Sequence, residues 1–261
     1  MTGRAAADAA AGAQVRVEGL TKVFAGGTRA LDSVSLEVPR GQFLCIIGPS
    51  GSGKSTLLRC LNRLVEPTAG RVWVGEEEIT AIGGQALRRA RRRVAMVFQQ
   101  FNLVRRSTVL TNVLTGRLGY QVGARRFLPS FSREDESMAW KSLERLEIAE
   151  KATVRADQLS GGQMQRVALA RALAQQPELM LADEPVASLD PETAVVVLDY
   201  LRDINRTDGI TVLCAIHHLE LAKRYADRII AMRQGRLVYD GPPGDLDDDA
   251  YKRIYGRLGY D

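Results

Sequence analysis

The run Gly48-Pro49-Ser50-Gly51-Ser52-Gly53-Lys54-Ser55 constrains this chain more than any other feature. It fulfils the whole GxxxxGK[ST] pattern, and it lies between a short apolar run, Phe43-Leu44-Cys45-Ile46-Ile47, and a helical pattern that begins Ser55-Thr56-Leu57-Leu58. Strand, glycine-rich bend and helix in that order form one βα unit of a parallel sheet. The glycines let successive backbone N–H groups turn toward one point above the positive end of the following helix, a concavity suited to phosphate. In that setting Lys54 reaches the β and γ phosphates of a nucleotide, and the Ser55 hydroxyl enters the shell of a magnesium ion. A chance lysine beside a Gly/Ser loop would lack the flanking strand and helix.

Phosphate chemistry also needs an acid to support the metal and a group to activate water. The apolar run Leu179-Met180-Leu181-Ala182 delivers Asp183 and Glu184 at its carboxyl end, the edge where open α/β sheets bind ligands. Asp183 is read as the magnesium-supporting acid and Glu184 as the general base for the attacking water. His217 and His218, the two histidines of the chain, follow another apolar run, Thr211 to Ile216, and so emerge at the same edge. One imidazole there can sense the γ-phosphate or the attacking water. A zinc site is not expected, since no third histidine and no cysteine stands at ligand spacing.

Along the chain, 14–38 reads as short strands with turns, Val94 to Phe98 as a strand, and the stretch to about Asp157 as a helical insertion with Trp140, Leu143, Leu146 and Ile148 on its apolar stripe. Strand and helix then alternate: helix Gly161–Ala174, strand Leu179–Ala182, helix Glu192–Ile204, strand Thr211–Ile216, helix Leu219–Tyr225, strands near Ile229–Met232 and Leu237–Tyr239, and a last helix ending near Tyr255. This is an α/β pattern with a mainly parallel sheet. Residues 1–14 are expected to be a flexible tail and 15–261 the folded domain, with a helical subdomain at about 105–158.

The 261 residues are 45% hydrophobic, enough for a sizeable core. No apolar run approaches the roughly 18 residues needed to cross a bilayer. Cys45, Cys60 and Cys214 sit among apolar neighbours without metal spacing, which points to free thiols in a reducing compartment. A net charge of +5 suits an anionic partner but selects none. The basic run Arg88-Arg89-Ala90-Arg91-Arg92-Arg93 is explained by a solvated helix end as well as by a nucleic-acid patch. It, Arg105-Arg106 and Arg125-Arg126 all lack the aromatic interleaving of a single-strand platform.

One further motif is decisive. Leu159-Ser160-Gly161-Gly162-Gln163, followed by Met164-Gln165-Arg166, resembles the signature of the ATP-binding-cassette family of transporter ATPases. Ser160 and two glycines open a helix and give a second anion-suited N-terminus. The resemblance implies a P-loop NTPase core of that family's type, with an N-terminal antiparallel β subdomain and a helical insertion. It also implies a head-to-tail dimer with two ATP molecules, in which Ser160, Gly161, Gly162 and Gln163 of one copy cover the nucleotide on the 48–56 loop of the other, Gly48 through Thr56. Phe24 matches the aromatic residue that stacks on adenine, with an ordinary core Phe as the other reading. Gln99 matches the glutamine that touches magnesium and water, Asp190 the dimer-contact loop or else a helix cap, and His217 the switch histidine.

Within that family, Gln99-Gln100-Phe101-Asn102-Leu103-Val104, the stretch Val109 to Gly119, Phe24 to Leu31, Val186-Ala187-Ser188-Leu189-Asp190, Tyr239 to Pro243 and Ile254-Tyr255-Gly256 are similar to the phosphonate importer branch. Arg105-Arg106 and His218 depart from it. The resemblance implies a Mg-dependent ATPase that powers import of phosphonates or phosphate esters. Its expected partners are a second copy of itself, transmembrane permease subunits and, indirectly, a solute-binding protein, on the cytoplasmic side of the cell membrane. An amino-acid or metal-ion importer is the alternative cargo, and a soluble nucleic-acid-associated ATPase of the same family is the alternative class; nucleic acid is not the expected partner.

Overall fold

The computed structural model describes residues 12–121 and 131–256. Two sheets divide the chain. The smaller has the order β2-β1-β4-β5 and is antiparallel, from β1 (Ala13–Val23), β2 (Arg29–Pro39), β4 (Ala69–Val74) and β5 (Glu77–Glu78). The larger has the order β10-β9-β3-β8-β7-β6, from β3 (Phe43–Ile47), β6 (Val94–Phe98), β7 (Leu179–Asp183), β8 (Thr211–Ala215), β9 (Arg228–Arg233) and β10 (Arg236–Gly241). Its pairs are parallel except for the β9–β10 hairpin at the edge.

Each parallel strand is a short apolar run because both of its faces are covered. In β3 the side chains alternate: Phe43, Cys45 and Ile47 join one core cluster, while Leu44 and Ile46 join another, and all five are fully buried. Burying one such large side chain contributes about 1.5–3 kcal/mol. The first cluster lies under the helices α3 (Val109–Leu114), α4 (Arg133–Arg145), α5 (Gly161–Ala174), α6 (Pro191–Asp208), α7 (Leu219–Tyr225) and α8 (Asp248–Tyr255). The second lies between the large sheet, α1 (Lys54–Leu61) and the antiparallel sheet, where Val15, Val17, Val34 and Val38 meet Leu57 and Leu58; α2 (Gly84–Arg92) adds Ala90.

Several local expectations shift. β1 begins at Ala13 and Gln14 is buried, so the last two residues of the expected tail belong to the sheet; residues 1–11 lie outside the described residues. Trp140 is 40% exposed, whereas Leu143, Leu146 and Ile148 are fully buried. The buried face of α4 runs through Asp135, Ala139, Ser142 and Leu143, which turns Trp140 about 100° away from it. Helix α6 extends to Asp208, where Gly209 ends it at φ 67°. The basic run is partly internal wiring: Arg91 donates to the carbonyls of Asn62 (2.9 Å) and Arg63 (2.6 Å), and Arg93 makes a two-pronged pair with Glu178 at 2.8 Å. Arg125 and Arg126 fall outside the described residues.

Candidate active site

The register of the parallel strands brings the candidate residues together. Phe98 pairs with Asp183, Asp183 with Ala215, and Ala215 with Ile46. The chain therefore leaves four adjacent strands at one level, and neighbouring strands are about 4.8 Å apart. The next residues are Gln99 after β6, Glu184 after β7, Ile216 and His217 after β8, and the 48–56 loop after β3.

That loop is built around two close approaches. A side chain on Gly48 (φ 140°) would run into the backbone carbonyl of Met232, and one on Gly53 (φ 107°) into that of Ala30. Only glycine fits either place. Gly53 opens α1 without a side-chain cap, so the first N–H groups of α1 need another partner. Lys54 is 4% exposed, and its Nζ donates to the carbonyls of Gly48 (2.8 Å) and Pro49 (3.2 Å). Burial pushes its ammonium below the usual lysine range, and the charges of Glu184 and Asp183 pull it back up. The ammonium thus sits within reach of both carboxylates' fields.

Asp183 and Glu184 part company by backbone geometry. Asp183 is the last residue of β7 and is 3% exposed; its Oδ2 accepts from Arg59 Nη2 at 3.1 Å, and its Oδ1 is buried with no partner. Glu184 has φ 52°, in the left-handed region, which breaks the alternation of the strand. Its Oε1 lies 2.6 Å from His217 Nε2. The contact is a hydrogen bond to an ionised carboxylate in the tautomer that carries the proton on Nε2, because such a carboxylate can only accept. His218 is exposed at the start of α7 and makes no side-chain cap. Gln99 is exposed and lines a recess with Gln100, Phe101, Asn102, Leu103, Arg105, Met164 and Ser188.

The remaining candidates stand further out. Phe24 is 40% exposed at the tip of the β1–β2 hairpin, with Lys22 Nζ 5.1 Å from its ring centroid, so the core-Phe reading does not hold. Ser160 caps α5: its Oγ accepts from Gln163 N at 3.3 Å, and Gln163 Oε1 accepts from Ser160 N at 3.0 Å. Ser160, Gly162 and Gln163 line a recess with Arg166, Glu192, Thr193, Val196 and Val197, and none of the 48–56 loop residues belongs to it. Asp190 caps α6, accepting from Thr193 N at 2.9 Å, as the alternative reading of that residue expects. Arg59 is a site neighbour that sequence reasoning missed. Its place in the same helix, five residues after Lys54, was the available signal.

The donors fit Mg-ATP. Ser52 Oγ, in the loop, and Asp183 Oδ1 are buried polar atoms without partners, and such atoms are rare unless a ligand or water uses them. Among the described residues no group of three or more His, Cys, Asp or Glu could hold a metal ion. Magnesium does not require one, because it takes one or two carboxylates plus substrate phosphates and water. Ser55, Asp183 and Gln99 are the residues here that could share that role.

Comparison with known proteins agrees with this geometry. The family model described as ABC transporter matches residues 31–187. The phosphonates import ATP-binding protein PhnC of Bacillus thuringiensis subsp. konkukian is 50% identical over 94% of this chain and 95% of its own length. Its counterpart from Rhodopseudomonas palustris (strain BisB5) is 52% identical over 92% of this chain and 88% of its own. Among solved structures, the dimeric ATP-binding cassette MJ0796 in a post-hydrolysis state bound to ADP and Pi is 35% identical, with a TM-score of 0.77 over 88% of this chain and 98% of that one. A nucleotide-free ATP-binding cassette from an ABC transporter superposes with a TM-score of 0.79 at 28% identity, over 95% of this chain and 96% of its own. With the phosphate loop, the acidic strand end and the capped signature helix in place, this chain belongs to the ABC transporter family as an ATP-binding cassette.

Proposed function

We propose that this chain is the ATP-hydrolysing subunit of a phosphonate importer, working as a head-to-tail pair on the cytoplasmic face of the membrane. The observation that carries the cargo is the 50% identity to a phosphonate import ATP-binding protein over nearly the full length of both chains. Among the described residues no helix is long and apolar enough to cross a membrane, so in this reading separate permease subunits form the path and a solute-binding protein delivers the cargo.

The chemistry follows from the edge of the sheet. Lys54 exchanges its bonds to the Gly48 and Pro49 carbonyls for the β and γ phosphates. The N–H groups of the loop and of the first turn of α1 hold the phosphates, and Phe24 stacks on the adenine. Ser55, Asp183 and Gln99 would hold a magnesium ion, which would supply positive charge against the phosphates. Glu184 takes the proton of the attacking water, and His217, already in contact with Glu184, fixes that carboxylate and faces the γ-phosphate. Ser160 to Gln163 of a second copy close over the phosphates and exclude water, each donor contributing about 2.7–4 kcal/mol at the transition state. Dimeric MJ0796 supports this arrangement.

The test is reconstitution with the permease subunits, measuring ATP hydrolysis against binding proteins loaded with a phosphonate, an amino acid or a metal ion. Stimulation by the phosphonate-loaded protein alone is expected. Stimulation by another loaded protein would replace the cargo, and hydrolysis unaffected by Ser160→Arg would remove the shared site.

A further inference from the structure

The turn that follows Gln99 is held in an unfavourable shape by a residue of the signature helix. Phe101 and Asn102 both occupy the left-handed region, at φ 56° and 49°. Two successive non-glycine residues there are costly, and for Phe more than for Asn, so the surroundings must impose the shape. The turn's own backbone bonds are Phe101 N to Phe98 O (3.2 Å) and Asn102 N to Gln100 O (2.5 Å).

Arg171, in the last turn of α5, grips the outside of this turn: Nη1 donates to Asn102 O at 2.6 Å and Nη2 to Phe101 O at 2.8 Å. A planar guanidinium can serve two successive carbonyls at once, which a lysine ammonium does poorly. Burial lowers the Arg171 pKa, so its charge is desolvated at the contact. The helix is pinned from behind as well, because a side chain on Gly116 would run into the Arg171 carbonyl. On the far side of the turn, Asn112 holds Val104 through both of its backbone groups, at 2.7 and 3.1 Å. Ser160 opens the same helix about 16 Å from Arg171. One rigid helix thus joins the signature end to the Gln99 turn.

We propose that Arg171 is a positioning residue: by clamping the carbonyls of Phe101 and Asn102 it sets the placement of Gln99 and makes the Gln99 turn move together with α5. The inference deepens the ATPase reading of the site and rests on it. It assigns to a side chain 72 residues away in sequence the shape of a turn that carries a site residue.

The test uses the full chain with a nitroxide at Gln100→Cys, since the three native cysteines are buried. Spectra taken without nucleotide should show an immobilised label with Arg171, a mobile one with Arg171→Met, and an intermediate one with Arg171→Lys. A second label at Glu144→Cys, on the exposed side of α4, should be unchanged by the same substitutions. In the permease complex, Arg171→Met should lower kcat by roughly ten- to a hundredfold, the scale of a misplaced site group, with the KM for ATP moving less than about twofold because the 48–56 loop is untouched. A Gln100 label indifferent to Arg171→Met overturns the proposal, and so does equal loosening of the Glu144 label, which would mark a general loss of packing. Should Arg171→Met fail to fold, Arg171→Lys against the parent carries the same comparison. The spectra need no hydrolysis, so an inactive parent complex would refute the ATPase reading without touching the label result.

Discussion

His217 Nε2 lies 2.6 Å from Glu184 Oε1, a side-chain contact that ties the end of β8 to the end of β7 over the carboxyl edge of the sheet. The pair predicts a separation of binding from chemistry. Glu184→Gln keeps an acceptor for His217 but cannot take a proton from water, so single-turnover phosphate release should fall about 10²–10⁴-fold. Nucleotide affinity, measured by calorimetry, should stay within about threefold, because Lys54 and the 48–56 loop are unchanged.

Gly53 is the second point where a small change should have a large result. Its φ of 107° and the carbonyl of Ala30 both exclude a side chain, and the side chains of Leu31 and Met232 stand 3.3 Å from a methyl placed there. Gly53→Ala is expected to cost about 2–3 kcal/mol, which lowers the thermal midpoint by roughly 4–12 °C for a chain of this size. ATP binding should be lost as well, since the strain falls on the residue that begins α1. Scanning calorimetry and equilibrium binding check the two halves separately.

The elements that were legible in the sequence are those whose cause is local. The apolar run 43–47, the glycines of 48–53 and the Ser160 cap each carry their physics within a few residues, and the structure places them accordingly. Strand β4 escaped notice because Ala69-Gly70-Arg71-Val72-Trp73-Val74 begins with three residues that do not read as strand, and it forms only by pairing with β1. The grip of Arg59 on Asp183 spans 124 residues and that of Arg171 on Phe101 spans 70, so no local pattern announces them. The left-handed backbone at Glu184 is equally silent in the sequence, because nothing about a glutamate predicts it.

Cysteine chemistry offers a simple check on the core. Cys45, Cys60 and Cys214 are all buried and unpaired by disulfides, and burial raises each thiol, that of Cys60 to about 11. Thiolate is the reactive form, so the native chain should release almost no colour with a thiol reagent at pH 8, and all three groups should react after unfolding. A thiol that reacts within minutes in the native protein would show that one of the two core clusters opens locally.

The buried ion pair that anchors the helical insertion yields a prediction with a defined pH dependence. Arg117 Nε donates to Asp135 Oδ1 at 2.8 Å, and its Nη1 donates to Ala174 O (3.1 Å) and Gln176 Oε1 (2.8 Å), while its guanidinium lies 3.9 Å from the centre of the Tyr120 ring. The residues are 4% and 9% exposed. Burial pushes the Asp135 carboxyl up, but the bonds from Arg117 and Ser132 outweigh it and hold the group below its ordinary value of 3.8. A depressed folded value contributes stability that is present above the ordinary value and is lost as pH falls through the folded one. Arg117→Met strands the carboxylate and its neighbours, at a cost of about 3–5 kcal/mol near pH 7. Without its partner the largest influence left on Asp135 is burial, which favours the protonated form. Thermal unfolding at pH 7 should therefore separate variant from parent by roughly 6–20 °C, and the gap should narrow as pH falls below the ordinary value of 3.8, where the unfolded chain takes up the proton and the pair's contribution shrinks; a gap that stays constant between pH 7 and pH 3 would assign the loss to packing of the Arg117 stem instead.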